Sequence, residues 1–377
     1  MRIGFDAKRA FHNTTGLGNY ARTLLISLAK QFPQHDYMAY TPKPGTPFYN
    51  PSLPIVQQHP EGLLGTWFPA WWRSFGISKR LKQEVDLYHG LSNELPFGID
   101  RKKIPTVVSI HDVIYEDRPQ DYGLIDRLMY QTKTRYACLH AKHIVAISEA
   151  TRERIIAHYP IPPEKISVIY QAADPRFYIP FHEAECNRVR LKYRLKENYL
   201  IVVGSIIPRK NLLNVCKAFL HTDQDLELVV VGKGKSYKEQ VLHFLKEYHL
   251  VHRVHFLEDQ YASEDVYMDL PYLYQASCAS VYLSRMEGFG IPVLEAMASG
   301  TPVITSTVSS LYELGKNHAC CADPDDIPAI TSYMQEVHRN PSFRNEWIEK
   351  GKRFSGEFTP ERFAGQWMNL YEQLVSE

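Results

Sequence analysis

Short apolar segments rich in β-branched residues alternate with segments of helical periodicity along both halves of the chain. Leu200–Val203 and Leu228–Val231 are apolar without interruption, as in parallel strands that are covered on both faces of a sheet. Two successive strand–helix arrays predict two doubly wound domains, each with a ligand crevice at the C-terminal edge of its strands. The predicted strands are Arg2–Asp6, Tyr37–Tyr40, Asp86–His89, Thr106–Ile110, His143–Ile147 and Ser167–Tyr170 in the first half, and Tyr199–Gly204, Leu226–Val231, Val254–Leu257, Ala279–Leu283 and Pro302–Thr305 in the second.

Prolines mark the boundary between the two arrays. Pro175 and Pro180 interrupt the alternation in a segment that is poor in helical pattern, and domain boundaries favour such segments. The first domain is therefore predicted to span residues 1–175 and the second residues 176–357. The remaining residues, 358–377, carry apolar side chains at helical spacing and predict a final helix.

Composition places the chain among soluble globular proteins. It has 377 residues, of which 44% are hydrophobic and 23% charged, enough for two cores. No apolar run approaches the ~18 residues of a membrane span, and Met1–Asp6 is predicted to be a strand and not part of a signal peptide. The six cysteines show no Cys-x-x-Cys spacing, so free thiols are expected. The predicted location is cytoplasmic, with peripheral association at the inner face of the cell membrane as an option.

Charge is divided unevenly between the halves. Residues 1–172 carry 21 Lys and Arg against 15 Asp and Glu, whereas residues 173–377 carry 22 against 27, and the net charge is +1. The basic half is the better candidate for an anionic partner such as a phospholipid surface or a phosphorylated acceptor. Chance variation between the halves is the simpler explanation. A nucleic-acid partner is not expected.

An aromatic segment in the first half suggests contact with a membrane. Trp67, Trp71 and Trp72 lie beside the basic segment Lys79–Lys82. Aromatic rings at the level of the lipid headgroups, next to cations on anionic lipid, are typical of interfacial helices. The alternative is a helix that packs the same rings into the first domain.

The segment Glu287–Glu295 combines two carboxylates with a glycine-rich turn. It follows a predicted strand, and Pro292 suits the first position of a helix that Gly300 would end. Glu287 is therefore predicted on the loop after the strand, and Glu295 in the first two turns of the helix.

This turn has the chemistry of a nucleotide-sugar site. Gly288, Phe289 and Gly290 place backbone N–H groups at a helix N-terminus, where a diphosphate binds without a side-chain cation. A carboxylate would repel that phosphate, so Glu287 and Glu295 need other partners. Ionised carboxylates accept two O–H donors each, which makes the hydroxyl groups of a sugar and a ribose suitable partners.

The Glu-x7-Glu spacing, with Gly-Phe-Gly inside it, resembles the signature of retaining glycosyltransferases of the GT-B fold, most closely glycosyltransferase family 4. The resemblance implies an α/β protein with two Rossmann-like doubly wound domains that face an interdomain cleft, the first for the acceptor and the second for the donor. It also implies that residues 358–377 pack back on the first domain. Glu287 would lie beside the donor sugar and Glu295 would bind the ribose. The alternative is an ordinary strand–turn–helix with solvated glutamates.

A basic pair is predicted to neutralise the diphosphate. Arg209 and Lys210 lie between a predicted strand and a helix whose expected N-cap is Asn211, at the sheet edge where a leaving nucleotide gains charge. The stretch resembles the Pro-Arg-Lys-Asn pyrophosphate motif of the family. Many relatives have a further arginine where this chain has Ser205.

The segment that contains Gly16 and Gly18 also matches the dinucleotide fingerprint Gly-x-Gly-x-x-Ala, which makes a nicotinamide dehydrogenase an alternative. That fingerprint requires the glycines directly after the strand, whereas Ala7–Thr14 separates them here. A longer loop fits the glycosyltransferase family, in which the glycine turn lies against donor phosphates and acceptor.

His111 follows a predicted strand, and the resemblance places a histidine there against the donor sugar. Its role would be a hydrogen bond from a neutral imidazole to a sugar hydroxyl. The alternative is that Asp112 caps the next turn and His111 packs with it.

Two Asp-x-Asp strings, Asp223–Asp225 and Asp323–Asp325, match the metal motif of other transferases. Both fall in predicted turns, where aspartate is common, and Asp325 or Asp326 could cap a helix. Neither a metal nor another cofactor is therefore expected.

The predicted function is a retaining hexosyl transfer from a nucleotide-diphosphate sugar to a hydroxyl acceptor, with a lipid-linked saccharide as one option. GDP-mannose is the best candidate donor and cell-surface polysaccharide or glycolipid the product class, by resemblance to bacterial mannosyltransferases. A UDP-sugar donor (UDP-glucose or UDP-N-acetylglucosamine) and a sugar-nucleotide epimerase of the same fold stay as alternatives. No carboxylate is placed as a nucleophile, which favours attack from the face that the nucleotide leaves.

Overall fold

The computed structural model describes residues 1–13, 15–60, 67–99 and 104–377. These residues form two compact units. Unit 1 comprises Met1–Ala172 and Phe358–Glu377, and unit 2 comprises Ala173–Glu357. The first boundary follows Ala172, close to the one expected after residue 175.

Unit 1 is built on a seven-stranded sheet in the order β3-β2-β1-β4-β5-β6-β7, and every strand pair is parallel. All six strands predicted for this half are present within a residue or two of their predicted bounds. The seventh was not predicted: it is β3, at the sheet edge. The strands are β1 (Arg2–Asp6), β2 (Asp36–Tyr40), β3 (Ile55–Gln58), β4 (Leu87–Gly90), β5 (Thr106–Ile110), β6 (His143–Ala146) and β7 (Ile166–Val168).

Unit 2 has a six-stranded parallel sheet in the order β10-β9-β8-β11-β12-β13. The five predicted strands are present, and the strand that was not predicted again lies at an edge. The strands are β8 (Tyr199–Val203), β9 (Glu227–Val231), β10 (Val254–Phe256), β11 (Ala279–Tyr282), β12 (Val303–Ser306) and β13 (Cys320–Ala322).

Helices cover both sheets. Those of unit 1 are α1 (Lys8–His12), α2 (Gly16–Gln31), α3 (Pro69–Trp71), α4 (Ile77–Glu84), α5 (Ile114–Asp117), α6 (Leu124–His140), α7 (Glu149–His158) and the C-terminal α16 (Pro360–Ser376), with a π-helical turn at Trp72–Gly76. Those of unit 2 are α8 (Glu183–Tyr193), α9 (Leu212–Phe219), α10 (Ser236–Glu247), α11 (Ser263–Gln275), α12 (Ile291–Ala298), α13 (Ser309–Gly315), α14 (Ile327–Arg339) and α15 (Pro341–Ser355). Within the described ranges, no helix combines the length and apolar character needed to cross a bilayer.

Each sheet has one point where the strand order reverses. In unit 1 the chain proceeds from β1 to β2 on one side and from β4 to β5 on the other. In unit 2 the same reversal separates β8 from β11. Loops leaving the C-terminal ends of such strand pairs diverge and open a crevice, which is where doubly wound sheets bind ligands. A ligand site is therefore expected at these two switch points.

The C-terminal helix belongs to unit 1. Helix α16 packs along α2, and its Trp367 and Tyr371 side chains are buried. The Tyr371 hydroxyl and His89 Nδ1 are joined by a hydrogen bond of 2.7 Å. Tyr371 thereby ties the last helix to β4.

Candidate active site

Three predicted site residues meet at the switch point of unit 2. Gly204, which directly follows β8, has a φ of 145°, and a short 3₁₀ turn at Pro208–Lys210 follows. Arg209 Nη1 lies 2.8 Å and Lys210 Nζ 2.7 Å from the same oxygen of Glu287. We call Arg209, Lys210 and Glu287 the unit 2 cluster.

The charged groups of the unit 2 cluster stabilise one another. Burial by itself would raise the pKa of the Glu287 carboxyl, but Lys210 and Arg209 outweigh burial and hold that pKa below its ordinary value. Burial by itself would lower the pKa of Lys210, and Glu287 reverses the effect. All three groups are therefore charged at neutral pH. Two cations share one carboxylate, which leaves one positive charge for an anionic ligand.

Further contacts fix the two cations in place. Arg209 also donates a hydrogen bond to the Met286 carbonyl, and Lys210 to the Tyr282 hydroxyl. The Lys210 ammonium lies 4.6 Å from the centre of the Tyr282 ring. Tyr282 was missed by the sequence analysis, because it lies inside a predicted strand where a tyrosine is ordinarily a core residue.

Helix α13 holds the loop that carries Glu287. The Ser309 and Ser310 hydroxyls both donate to the Glu287 carbonyl oxygen, at 2.7 and 3.0 Å. Gly290 has a φ of 114°, and a β-carbon there would lie 2.5 Å from Leu311 Cδ2. Only glycine suits this position. The loop is thus preorganised in front of α12.

Helix α12 ends as expected but begins one residue early. Pro292 is its second residue and not its first. At the C-terminal end the Gly300 N–H donates to Met297 and the Thr301 N–H to Ala296, with a φ of 77° at Gly300. This is a Schellman motif. The predicted cap at Gly300 is confirmed.

Glu295 lies in the second turn of α12, as predicted, but its carboxyl group is not in the expected state. Burial raises its pKa to about 8, with a smaller lowering by Arg176 and a smaller raising by Asp174. Among the described residues no ion pair reaches this carboxyl group. Burial therefore favours the neutral form of Glu295 over the ionised carboxylate that was expected, because a buried carboxyl without a close cation disfavours charge.

Arg176 is a second residue that the sequence analysis missed. It lies over the Tyr267 ring, 3.6 Å from the ring centre, and donates to the Tyr267 carbonyl at 2.8 Å. Its buried Nε and Nη2 have no hydrogen-bond partner among the described residues. Arg176 falls in the proline-rich segment that was interpreted as a linker, so no strand or helix pattern pointed to it.

His111 lies in unit 1, buried at the end of β5. Its Nε2 is 2.8 Å from the Leu91 carbonyl oxygen, and because a carbonyl only accepts, Nε2 carries the proton. Its ring meets the Tyr20 ring edge-on at 4.5 Å. Burial lowers the pKa of His111 to about 4. The imidazole is neutral, and Nδ1 is left as a hydrogen-bond acceptor.

The two N-terminal glycines differ. Gly18 is required by packing, since a β-carbon would lie 1.9 Å from the Asn13 carbonyl oxygen, whereas Gly16 has open space around it. The Gly18 N–H already donates to the Thr15 carbonyl at 2.9 Å. Helix α1 separates this turn from β1, so the glycines do not directly follow the strand as the dinucleotide fingerprint requires.

Comparison with known proteins supports a single family. Residues 14–177 match the family model "Glycosyltransferase Family 4", and residues 184–354 match "Glycosyl transferases group 1". The O-antigen chain mannosyltransferase B of Escherichia coli is 32% identical over 298 residues, which cover 76% of this chain and 74% of that protein. The chain belongs to glycosyltransferase family 4.

Further relatives agree with this family, and solved structures show the same fold. The O-antigen chain mannosyltransferase RfbU of Salmonella typhimurium is 27% identical over 69% of this chain and 68% of its own length. The Anabaena Alr3699/HepE structure in complex with UDP and glucose superposes with a TM-score of 0.76 at 16% identity, covering 98% of this chain and 99% of that one. Sucrose-phosphate synthase from Thermosynechococcus elongatus also gives 0.76, at 20% identity, with 100% and 99% covered. The two units thus have the GT-B fold, and the chain is a glycosyltransferase.

One local expectation in this family 4 enzyme is wrong. Asn211 lies at the expected N-cap position of α9, but its side chain makes no capping bond. It has a φ of 62°, and its side-chain amide donates to the Pro324 carbonyl at 2.7 Å and accepts from Arg285 at 3.2 Å. Asn211 therefore anchors the basic turn to a neighbouring loop instead of capping the helix.

The aspartate strings lie in turns. Asp223 takes two short hydrogen bonds from Arg339, of 2.7 and 2.5 Å. Asp223, Asp225 and His338 bring potential ligand atoms within 4.8 Å of one another, but Arg339 already occupies the Asp223 carboxylate. Directly after the other string, Asp326 caps α14 by accepting from the Ala329 N–H at 3.0 Å.

The tryptophan segment divides between surface and core. Trp67 is 74% exposed and Trp71 43% exposed, whereas Trp72 is only 4% exposed and packs in the core of unit 1. The expectation that Trp72 contacts a membrane is therefore wrong, since the ring is already covered by protein. Two further exposed rings, Phe68 and Phe75, extend the surface. The side chains of Lys79, Arg80 and Lys82 lie outside what the structure describes.

Proposed function

We propose that this glycosyltransferase is a retaining, metal-independent enzyme that moves mannose from GDP-mannose to a hydroxyl group of a cell-surface polysaccharide or glycolipid. The unit 2 cluster carries the proposal, because it fixes two cations beside a carboxylate at the end of β8. The choice of mannose is supported by relatives named as O-antigen mannosyltransferases.

In the proposed reaction the bond from the anomeric carbon to the diphosphate oxygen breaks as a bond to the acceptor oxygen forms on the same face. The leaving phosphate oxygen takes the acceptor's proton. Arg209 and Lys210 stabilise the negative charge that grows on the diphosphate. Both cations also contact Glu287, so they would be shared between this carboxylate and the diphosphate of a bound donor.

The other predicted residues hold the donor. Glu287 accepts from the sugar hydroxyls, the backbone of Gly288–Gly290 orients sugar and phosphate, and Glu295 contacts the ribose. The Phe289 side chain is buried, so it supports the loop while its main chain contacts the ligand. A neutral Glu295 can donate one hydrogen bond and accept another. His111 Nδ1 would accept from a sugar hydroxyl, and Gly16 and Gly18 would shape the loop near the phosphates.

Two measurements test the identity of the donor: the binding of nucleotide sugars and the analysis of the product. Thermal shifts with GDP, UDP and ADP and their sugars should be largest for GDP-mannose, and mass spectrometry should detect a mannosylated acceptor of unchanged anomeric configuration. Selective binding of UDP-sugars would move the proposal to that donor class, which the UDP-bound structural neighbour favours. Release of an isomerised sugar without an acceptor would indicate an epimerase, and an inverted product would refute retention.

Metal independence is tested separately. Two fixed cations and a helix N-terminus supply positive charge to the diphosphate without an ion. Activity in excess EDTA should therefore equal activity in buffer. Activity that is lost in EDTA and restored by Mn²⁺ or Mg²⁺ would contradict this part of the proposal.

We also propose peripheral membrane contact through the exposed rings of Trp67, Phe68, Trp71 and Phe75. Flotation with phosphatidylethanolamine/phosphatidylglycerol vesicles should recover the wild type, and Trp71→Ser should reduce the recovered fraction. Leu191→Ser, which changes an exposed apolar residue of unit 2, is the matched control. Equal recovery of both variants and the wild type, or recovery of none, would remove this contact.

A further inference from the structure

The second Asp-x-Asp string lies at the same sheet edge as the unit 2 cluster. Asp323–Asp325 directly follows β13, and the residues of the cluster follow β8 and β11 of the same parallel sheet. The C-terminal ends of parallel strands meet at one edge. The string forms a compact turn, in which the Asp323 carboxylate accepts from the Asp325 N–H at 2.8 Å. This turn is therefore placed to contact the loops that carry the cluster.

An arginine of the Glu287 loop binds the Asp325 carboxylate through both ends of its guanidinium group. Arg285 Nη1 donates to Asp325 Oδ2 and Nη2 donates to Oδ1, each at 2.5 Å. The hydrogen bonds from Arg285 lower the pKa of Asp325, so the pair is charged at neutral pH. Bidentate pairs of this kind add geometric specificity as well as energy. Arg285 is thereby held in one orientation, shortly before Glu287 in the chain.

Arg285 also reaches the turn at Pro208–Lys210. Its Nη2 donates to Asn211 Oδ1 at 3.2 Å, and its backbone N–H donates to the Arg209 carbonyl at 2.9 Å. Asn211 directly follows Lys210 and has a φ of 62°, a left-handed conformation that persists only where its surroundings fix it. Arg285 therefore joins this turn to the Glu287 loop.

The loop of the aspartate string holds the same turn through amide groups. Asn211 Nδ2 donates to the Pro324 carbonyl at 2.7 Å. Asn214, in the first turn of α9, donates to that carbonyl at 3.2 Å and to Asp325 Oδ1 at 2.8 Å. Side-chain donors thus occupy both Asp325 oxygens. This carboxylate holds neighbouring loops together.

Exposure distinguishes the Arg285–Asp325 pair from the buried pairs of the cluster. The Asp325 side chain is 59% exposed and that of Arg285 31% exposed, and ion pairs this exposed contribute little to folding stability. Loss of the Asp325 charge should therefore leave the fold intact and change the placement of the Pro208–Lys210 turn. A displacement of about 1 Å in a catalytic group can lower turnover by about 100-fold.

We infer that Asp325 is a positioning residue for the unit 2 cluster and acts through Arg285 and Asn211. Asp325 orients Arg285, and Arg285 in turn fixes the Asn211 side chain and the Arg209 carbonyl. The two cations are thereby held in place for the leaving diphosphate. The inference rests on the proposed function for the catalytic role of the cluster, whereas the contacts themselves do not depend on it.

Asp325→Asn tests this role, because it keeps the shape of the side chain and removes its charge. We expect kcat with GDP-mannose to fall at least about tenfold while the donor KM changes less than about twofold, because the cations act on charge that grows in the transition state. The melting temperature should fall by no more than about 3 °C. Wild-type turnover in Asp325→Asn would overturn the inference.

Asp223→Asn is the matched control. Asp223 belongs to the other Asp-x-Asp string and takes two hydrogen bonds from Arg339. It precedes β9 and so lies at the N-terminal edge of the sheet, away from the cluster. This variant should keep wild-type turnover, and a loss equal to that of Asp325→Asn would overturn the inference.

A double variant tests whether the effect passes through Arg285. Arg285→Met should lower kcat as Asp325→Asn does, and the double variant should be no slower than Arg285→Met alone. A fully additive loss would contradict the inference. Tighter GDP binding by Asp325→Asn at unchanged kcat would contradict it as well, since the released Arg285 would then act as a phosphate ligand.

Hydrogen exchange separates this inference from the proposed function. Amide exchange in peptides that cover residues 205–212, measured without nucleotide, should rise in Asp325→Asn and not in Asp223→Asn. Unchanged exchange in Asp325→Asn would overturn the positioning role. Raised exchange, together with normal turnover in Arg209→Ala/Lys210→Ala, would support the positioning contacts and overturn the leaving-group role in the proposed function.

Discussion

The two switch points of this molecule carry charge clusters of similar composition but different balance. The unit 2 cluster has two cations for one carboxylate, so a positive charge is available to a ligand. In unit 1, Arg73 and Lys133 pair with Asp6 and Glu94; this unit 1 cluster has two cations for two carboxylates, so its charges balance each other. The same fold thus carries a charge cluster at each switch point, and the count of carboxylates decides how much positive charge remains for an anionic ligand.

Burial makes both clusters important for stability as well as for binding. Breaking a buried ion pair leaves a charge without compensation, and that loss exceeds the contribution of the intact pair. A change of activity in a variant is therefore informative only when the stability effect is measured beside it. The variants below separate the two effects.

The largest effect is expected from removing both cations of the unit 2 cluster. Arg209→Ala/Lys210→Ala should lower kcat by at least about 100-fold, because the leaving diphosphate loses its stabilising charges. The same variant should lose about 3–5 kcal/mol of unfolding free energy, because Glu287 stays buried without a cation. Turnover and urea denaturation measure the two effects.

Adding Glu287→Gln to that double variant removes the uncompensated carboxylate. The triple variant should regain most of the stability and none of the turnover. Lys350→Ala, which breaks an exposed pair with Glu346, is the control and should change stability by less than about 1 kcal/mol. Near-normal turnover in the double variant, or recovered turnover in the triple one, would refute the leaving-group role.

A smaller and different effect is expected in unit 1. Arg73→Met leaves Asp6 and Glu94 with only Lys133 and should cost about 3–5 kcal/mol of stability. Nucleotide affinity, measured by calorimetry at low temperature, should not change. Arg118→Met, which breaks a more exposed pair with Asp121, should cost at most about 1 kcal/mol. A marked loss of GDP affinity in Arg73→Met would contradict the view that only the unit 2 cluster provides charge for the nucleotide.

The fold was predictable from the sequence except at one edge of each sheet. Central strands such as Leu200–Val203 are continuously apolar, which identifies them. Ile55–Gln58 has two apolar and two polar residues, and Cys320–Ala322 has no β-branched residue, although both complete a sheet. An edge strand pairs on one side only and has less need of an apolar pattern. Hydrophobic periodicity therefore recovered every strand except one edge strand of each sheet.

The positions of the candidate site residues were predictable from the sequence, but their ion pairing and protonation were not. Arg209, Lys210 and Glu287 each follow a predicted strand, and strand ends of one parallel sheet meet at one edge. That both cations share one oxygen of Glu287, and that Glu295 is neutral, depend on tertiary burial that no spacing encodes. Trp71 and Trp72 show the same limit: a π-helical turn begins at Trp72, so ordinary helical periodicity does not tell which ring faces the core.

Glu295→Gln sharpens the comparison further, because Glu295 is a buried carboxyl without the ion pair that Glu287 has. Its pKa is about 8 in the folded protein against an ordinary 4.5. A carboxyl group whose pKa is higher in the folded than in the unfolded state stabilises the fold at low pH. This stabilisation is complete below the unfolded-state pKa and is lost as the pH rises through the folded-state pKa. From pH 5 to pH 8 the wild type should therefore lose stability that the glutamine variant keeps.

At pH 8 we expect Glu295→Gln to be more stable than the wild type by on the order of 2–4 kcal/mol, and the difference should shrink toward pH 5. Nucleotide affinity should fall by only about 1 kcal/mol, the worth of one neutral hydrogen bond. Thermal unfolding across this pH range, with calorimetric GDP binding, measures both. Glu349→Gln changes an exposed carboxylate and should show neither effect. A pH-independent difference in stability would mean that Glu295 is already ionised in the folded protein, so that the Glu287–Glu295 segment would hold two buried carboxylates and not one.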